Sequence, residues 1–539
     1  MPHTLYLDSN ATTHVLPAAI AAATRAMREQ FGNPSSSHSH GIVAKALLDQ
    51  TRATAAQVLG AGDGHLVFTS GATEGIQTAV LSALRAIGPR RTGHSQLMVY
   101  GSTEHKAVPQ ALEHWNTVLG LGLELRALPV DSEGQHDLQT LADWLPDTAL
   151  LCTMAANNET GVITNLAAIE NMLIQAHSKA LWLVDCVQAL GKVDLDLEHS
   201  RIDYAPFSGH KLYAPKGTGM LFVRRGAPFT PLMAGGGQEG GLRSGTENMP
   251  GIAALGAVLD ALQQGNTFAS HATLRNYRDQ LERSLRMAFP AIVFNVPLAH
   301  SLPTTLNFSV PGISSKAMLD VFDAAGLRVS AGSACSAAKA APSYVLEAMG
   351  LPAWRTMSAV RLSIGPLVGA AAIDAACSAI ARCGQVLLAM HRGEADEPAS
   401  ASAALLHAPC STADAAAMTL QWSELDPYLA AHPKTRLLDV REAAEHHAGR
   451  GLRYGTLAAI NVPLSTITTL PAAWLESRAA PVVLVCRSGT RSLKAAQWLR
   501  SQGFVQVRHL HGGLALRPVS SSTALTHTQV EKTDHSRAA

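Results

Sequence analysis

The 539-residue chain carries no excess of either charge: 42 Lys and Arg stand against 41 Asp and Glu, a formal net charge of +1. That balance removes the global electrostatic reason to expect nucleic acid or an anionic membrane as a partner, and makes a small molecule the default ligand. Long hydrophobic runs are lacking as well. "VVLVC" at 482–486 has strand length and falls far short of the roughly 20 residues a membrane helix needs. The first residues, "MPHTLYLDSNATTHV", have neither the basic n-region nor the continuous apolar core of a secretory signal, so the expectation is a soluble, cytoplasmic protein. Cysteine is sparse: seven residues, at 152, 186, 335, 377, 383, 410 and 486, odd in number and without a Cys-x-x-Cys pair. This argues against a disulfide framework and against a zinc site, and no metal is expected. No internal repeat is present. At roughly 150 residues per domain, the length implies about three or four domains.

Up to about residue 390, short apolar runs alternate with helix-period segments. "LVFTS" (66–70) reads as a buried strand, and Ile76, Val80, Leu84 and Ile87 then share a helical face that Gly88-Pro89 stops. "ALWLVD" (180–185) and "GMLFVRR" (219–225) read as further strands. The alternation implies an α/β fold with a mainly parallel sheet covered on both faces. From 391 to 415, Ala, Ser, Pro and acidic residues replace any period, as in a linker. "TRLLDV" (435–440), "PVVLVC" (481–486) and "VQVRHL" (505–510) are strands of a second, small α/β domain, whose helix over 490–502 ends at Gly503. The last twenty or so residues, 517–539, have the polar composition of a disordered tail.

The chemistry concentrates in "SGHKLYAPKGTG" (208–219), where Lys211 is set among small, tightly turning neighbours that place it by its backbone. Upstream, "LVDCVQ" puts Asp185 and Gln188 at a strand's C-terminal end, where open parallel sheets build ligand sites. A lysine able to form a Schiff base and an aspartate able to pair with a pyridinium nitrogen are the two groups a pyridoxal phosphate (PLP) site most needs. "TSGATEG" (69–75) adds a turn and a helix start whose free N–H groups can hold a phosphate.

Nine motifs then occur in order: "YLDSNATT" (6–13), "FGNPSSSH" (31–38), "FTSGATE" (68–74), "TEHKAV" (103–108), "NNETGV" (157–162), "VDCVQ" (184–188), "SGHK" (208–211), "GGGQEGGLRSGTEN" (235–248) and "SAGSACS" (330–336). Together they resemble the class V, PLP-dependent cysteine desulfurases of the NifS/IscS type, over roughly residues 4–385. The resemblance implies the fold of PLP-dependent aminotransferases (fold type I), with a large domain of about 15–260 and a small domain from 1–14 and about 261–390. It implies that Lys211 holds PLP and moves the substrate Cα proton, that His105 stacks on the cofactor ring, and that Asp185 pairs with the pyridinium nitrogen. Asn158 and Gln188 would face the ring hydroxyl. Ala72, Thr73, Ser208 and His210 would bind the phosphate, and Thr246 would reach the phosphate of a neighbouring subunit, which makes a two-fold homodimer part of the site. Arg361 would clamp the substrate carboxylate, with Asn33 assisting.

Cys335 lies in "RVSAGSACSAAKAAPSY", a run of small residues with little to pack, as a mobile exposed loop would have. The resemblance implies that its thiolate takes the sulfur of L-cysteine as a persulfide while the carbon skeleton leaves as alanine. Cys152 and Cys186 adjoin strands and read as buried small hydrophobes, Cys377 and Cys383 fall in an Ala-rich helix, and Cys410 falls in the linker. His14 and Cys186 depart from the usual residues of the family without altering a chemical group.

In the second domain "VCRSGTRS" (485–492) follows a strand and opens a helix, so the turn from Cys486 to Arg491 forms an anion nest. With "LLDVRE", "INVPL" and "HLHGGL", residues 416–516 resemble a single-domain rhodanese. Cys486 would be its sulfur-carrying nucleophile within the loop Arg487, Ser488, Gly489, Thr490 and Arg491, braced by Asp439 and Arg441. Between Glu442 and Asn461 the usual Gly-His-Ile-Pro-Gly-Ala is replaced by the longer "AGRGLRYGTLAAI", which leaves the loop over this site open to question. The two halves suggest a sulfur relay from L-cysteine to Cys335, to Cys486, and on to an iron–sulfur scaffold, a thiolation protein or a small thiol. A flexible linker would make the internal transfer effectively intramolecular. Two other readings are a selenocysteine lyase, and a desulfurase whose rhodanese domain only docks partners; transamination is disfavoured by Cys335.

Overall fold

The computed structural model of the protein describes residues 4–88, 96–331, 342–391, 412–469, 474 and 477–518. Cys335, Cys410, most of the expected linker and nearly all of the expected tail lie outside the described residues. The chain divides into two compact units, Met1–Leu388 and Ala389–Ala539.

The strands of the first unit are β1 (Leu5–Tyr6), β2 (His65–Thr69), β3 (Leu97–Gly101), β4 (Glu124–Leu128), β5 (Thr148–Met154), β6 (Leu181–Asp185), β7 (Tyr204–Ser208), β8 (Gly219–Val223), β9 (Val293–Phe294), β10 (Thr305–Ser309), β11 (Leu327–Arg328), β12 (Ser330–Ala331) and β13 (Val360–Ser363). A seven-stranded sheet runs β2-β8-β7-β6-β5-β3-β4. All its strands share one direction except β8, which is antiparallel to both neighbours. The reason is length: residues 209–218 are too few for the crossover that a parallel pair needs, so the chain returns antiparallel. β2, β3, β5, β6 and β7 therefore all end at the same edge.

Side chains alternate across this sheet with period two. Leu97, Val99, Leu151, Trp182 and Val184 join a core with Leu48, Leu59, Leu255 and Leu259, from the helices α2 (Ser39–Leu59) and Met249–Gln264. Met98, Leu150, Cys152 and Leu183 face the other way, onto Ile76, Val80 and Leu84 of α3 (Ala72–Ile87). Helices cover both faces, as the alternating pattern requires. Gly88 ends α3 with φ +72°, a conformation suited to glycine.

A four-stranded antiparallel sheet, β12-β13-β10-β9, follows, and β1 pairs with β11. The N-terminal segment bridges to β13 at Asp8 and Ser363, which draws residues 8–12 towards the main sheet's edge. The helix Ala370–His391 corrects one sequence expectation, because it is long and apolar enough to cross a membrane by length and composition. Its Ile373, Ala376, Ile380, Cys383 and Leu387 are buried, and Ser284 Oγ donates to the Cys377 carbonyl, so one face packs in the protein core.

The second unit has β14 (Thr419–Leu420), β15 (Arg436–Asp439), β16 (Arg453–Tyr454), β17 (Leu457–Ala458), β18 (Ile460–Asn461), β19 (Val482–Val485) and β20 (Val507–Leu510). Its parallel sheet is ordered β14-β20-β19-β15-β18, with β16 and β17 as a separate antiparallel hairpin. Leu438, Val482 and Leu484 pack on Ala495, Ala496 and Leu499 of the helix Thr490–Ser501, while Leu437, Val483 and Val485 face Leu420, Leu425 and Leu510.

Candidate active site

Lys211 follows directly on β7, in a short 3-10 turn at the edge where the parallel strands end. Its Nζ donates to the carbonyls of Asn10 at 2.7 Å and Ala11 at 2.9 Å. Asp185 closes β6 and is buried, with Oδ1 accepting from the Val187 amide at 2.9 Å. Desolvation raises its pKa, while that hydrogen bond and the charges of His105 and Lys211 oppose the rise. A buried carboxylate in this position is stabilised by a cation. His105 is exposed, yet enough protein crowds its ring that desolvation lowers its pKa, against Asp185 and with Lys211 and Lys106. The structure thus brings Lys211, Asp185 and His105 within electrostatic reach of one another.

The phosphate end is built from backbone. α3 begins after Gly71, and no side chain caps its first amides, so the N–H groups at Ala72 and Thr73 are available to an anion. Ser208, buried at the end of β7, has its Oγ 3.9 Å from the point where a Cβ on Gly71 would sit. A Cβ on Gly219 would come within 2.6 Å of the Gly71 Cα, so strand β8 can approach the helix start only with glycine there. His210 Nδ1 lies 3.1 Å from Thr12 Oγ1, and desolvation followed by Lys211 and Lys216 lowers its pKa to about 4. Thr246 is exposed and lines, with Thr69, Ser70 and Arg243, a cavity of about 180 Å³.

On the opposite side, Gln188 Nε2 donates to the Asn10 carbonyl at 3.1 Å, and the Asn158 Oδ1 is buried without a hydrogen-bond partner among the described residues. That orphaned acceptor, the uncapped helix start and the buried carboxylate of Asp185 are what a pyridoxal phosphate ring and phosphate would satisfy, so the residues present fit this cofactor. Arg361 sits on β13 between Ser330 and Asn307 and is 2 % exposed. Its Nη2 donates to Asp8 at 2.6 Å and to Ser330 at 2.8 Å, and its Nη1 to the Asn158 carbonyl at 2.9 Å. Nε has no partner among the described residues. Asn33 accepts from the Ser35 amide, and no hydrogen bond joins it to Arg361.

Residue reading missed Asn10 and Glu104. Asn10 sits inside the quoted "YLDSNATT", but its hub role depends on contacts with Asn158, Gln188, Lys211 and Thr305, all distant in sequence. Glu104 is buried with both carboxyl oxygens unpartnered among the described residues, and burial followed by Asp185 pushes its pKa well above the carboxylate range.

In the second unit Cys486 directly follows β19 and is fully buried. Its Sγ accepts from the amides of Gly489 at 3.2 Å and Ser492 at 3.3 Å, and lies 3.5 Å from Ser492 Oγ. These donors stabilise a thiolate or persulfide. The expected nest over 486–491 is thus centred further along, with Ser492 contributing from the first turn of the helix. The Leu514 and Ala515 amides clasp the turn by donating to the Cys486 and Arg487 carbonyls. Gly513, at φ +53°, makes this possible, since a Cβ there would meet the Cys486 carbonyl oxygen at 2.2 Å. Ser488 Oγ donates to Thr490 Oγ1 at 3.3 Å.

Asp439 accepts from Arg441 Nη2 at 2.6 Å and lies 2.8 Å from His446 Nδ1, a partner the sequence did not single out. Burial alone would raise its pKa, but the hydrogen bonds from His446 and Arg441 leave it below the ordinary value. A depressed folded-state pKa contributes stability that is present above the unfolded value of about 4 and is lost as pH falls through the folded one. Acid titration followed by the fluorescence of this unit should show that loss, and Asp439→Asn should remove the pH-dependent part. Arg491 is bidentate to the buried Glu445, at 2.5 and 2.8 Å. Arg491→Ala removes the cation from that buried carboxylate, which keeps its bond from the Glu442 amide, and should lower the unfolding free energy of this unit by about 3 kcal/mol in denaturant titration. The longer segment after Glu442 forms the β16–β17 hairpin. Its Tyr454 lies beside Trp422, and the Arg517 guanidinium is 5.5 Å from the Tyr454 ring centroid and 5.8 Å from that of Trp422.

A parallel sheet ending in a lysine, a buried aspartate and an uncapped helix start defines a pyridoxal phosphate enzyme of the aminotransferase type. The chain belongs to the class-V aminotransferase family, whose profile matches residues 5–375, and it carries a rhodanese-like domain matched over 424–516. A cysteine desulfurase of Cereibacter sphaeroides is 38 % identical over 374 residues, 69 % of this chain and 93 % of that protein. A cysteine desulfurase of Gluconacetobacter diazotrophicus is 40 % identical over 362 residues, covering 67 % and 88 %. Among solved structures, a NifS-like protein superposes with a TM-score of 0.64 at 32 % identity, over 71 % of this chain and 99 % of that one.

Proposed function

We propose that the protein is a PLP-dependent cysteine desulfurase that breaks the Cβ–Sγ bond of L-cysteine, passes the sulfur to Cys335 as a persulfide and releases alanine. The observation that carries this reading is Lys211 and the buried Asp185 at adjacent strand ends, in a chain whose relatives are named cysteine desulfurases. Bound there, PLP would supply the electron sink for a carbanion at the substrate Cα. Lys211 would hold the cofactor and would move the substrate Cα proton. Asp185 would pair with the protonated pyridine nitrogen, and His105 would stack on the ring and relay protons. Asn158 and Gln188 serve the ring hydroxyl. The Ala72 and Thr73 amides, Ser208 and His210 serve the phosphate, and Thr246 serves that of a second subunit in a homodimer. Arg361 offers Nε to the substrate carboxylate while Asp8 and Ser330 hold Nη2 and the Asn158 carbonyl holds Nη1, and Asn33 assists.

The rhodanese-like unit then takes the sulfur from Cys335 onto Cys486, for delivery to a protein acceptor such as an iron–sulfur scaffold, or to a thiol. Transfer between two persulfide carriers needs no redox change: the Cys486 thiolate attacks the outer sulfur and the Cys335 thiolate leaves. The experiment is alanine and sulfide release from L-cysteine by the purified, PLP-loaded chain in excess dithiol, which reduces the persulfide to sulfide, with its mass in solution measured alongside. Alanine and sulfide in equal amounts from a dimer support the reading; a protein that binds PLP yet only transaminates would end it. Asp185→Ala should cut turnover by on the order of 10³-fold and weaken PLP binding, because the ring nitrogen loses its counter-charge.

A further inference from the structure

Lysine is seldom fully buried without a partner. Lys192 is 5 % exposed, in the turn after β6 where its amide donates to the Ala189 carbonyl at 2.8 Å. Its Nζ donates to Gln188 Oε1 at 2.8 Å. Gln188, itself buried, donates from Nε2 to the Asn10 carbonyl at 3.1 Å, and that same carbonyl accepts from Lys211 Nζ at 2.7 Å. A continuous set of hydrogen bonds therefore runs Lys192, Gln188, Asn10, Lys211.

The polarity of this set is determined by its two ends. An ammonium only donates and a backbone carbonyl only accepts, so the amide of Gln188 can take one orientation and not its flip. Oε1 turns to Lys192 and Nε2 to Asn10, with a second Nε2 proton left to donate. Burial, followed by the charges of Lys211 and Arg361, pulls the Lys192 pKa down to about 7. An ammonium beside two other cations is a costly way to fill space that a methionine of similar length would fill.

We propose that Lys192 is a positioning residue for the cofactor, acting through Gln188: it holds the amide so that Nε2 donates to the ring oxygen of bound PLP. The proposal rests on the reading of the site given above. The Lys192 cation also adds positive charge on that side of the ring, which favours the deprotonated oxygen.

The test uses the full chain, freed of cofactor and titrated with PLP. Lys192→Met should weaken PLP binding about tenfold, the size of one charged hydrogen bond, and shift the visible band of the bound cofactor towards the ultraviolet as its ring oxygen regains a proton. Lys192→Arg, still a donor-only cation, should restore the band. In a Gln188→Leu background, Lys192→Met should add no further loss, because the residue it acts through is gone. A Lys192→Met protein with wild-type affinity and spectrum would overturn the proposal, as would full additivity in the double variant. Should Lys192→Met not fold, Lys192→Gln carries the same expectations, since it removes the cation and the donor-only end of the set while keeping a polar side chain. A wild-type chain that takes up no PLP at all would overturn the reading of the site itself.

Discussion

Lys211→Ala should abolish alanine formation from L-cysteine, by on the order of 10³-fold or more, and leave a protein that loses PLP on gel filtration. Lys211 has two tasks in the proposed reaction, covalent tenure of the cofactor and transfer of the Cα proton, and no neighbour can take over both. His105 lies close enough to feel its charge, but desolvation lowers the His105 pKa. Lys192 is tied to Gln188 on the far side of Asn10. The Asn10 carbonyl keeps its bond from Gln188, and loss of the donor to the Ala11 carbonyl should cost the fold about 1 kcal/mol. Unfolding and activity should therefore separate: a near-native denaturation midpoint beside absent turnover. A Lys211→Ala chain that retains PLP through filtration and still makes alanine would refute the assignment.

The second large effect concerns the two sulfur carriers. With L-cysteine labelled in sulfur, the wild-type chain should carry label on Cys335 and on Cys486. Cys335→Ala should carry it on neither while keeping the visible absorbance of bound PLP. Cys486→Ser should carry it on Cys335 alone and still release alanine at the wild-type rate when a small thiol accepts the sulfur. Peptide mass spectrometry under non-reducing conditions reads all three. Label on Cys486 in the Cys335→Ala protein would mean that the rhodanese-like unit draws sulfur from elsewhere. Label confined to Cys335 in the wild type would leave that unit as a docking module. The buried Sγ of Cys486, cradled by the Gly489 and Ser492 amides, is suited to hold a persulfide anion, and this favours the relay.

Much of this protein was legible because it is written in local pattern. The run 66–70 was readable as a buried strand, and the shared face of Ile76, Val80 and Leu84 marked a helix that packs on the main sheet. Lys211 and Asp185 were identifiable because each sits in a short motif at a strand end, and Cys486 because its turn joins a strand to a helix within a few residues. Cys152 and Cys186 were rightly read as core residues from the strands beside them. The Ala-rich helix around Cys377 and Cys383 was also legible, but not its membrane-spanning length, because alanine shows its apolar character only over the full helix.

The sequence by itself determined the α/β class, the two-part organisation and the motifs from which the proposed site residues are drawn, since those depend on propensity, periodicity and patterns a few residues long. Only the tertiary structure decided that β8 runs antiparallel, that Asp8 holds Arg361, that His446 and Arg441 share Asp439, and that Asn10 links Gln188 to Lys211. With the exception of the Asp439 group and the β7–β8 turn, these pairings join residues more than 150 positions apart. Their geometry comes from the folding of β1 and its neighbours onto the edge of the main sheet, and no local preference of the chain encodes which distant carbonyl a buried donor will meet.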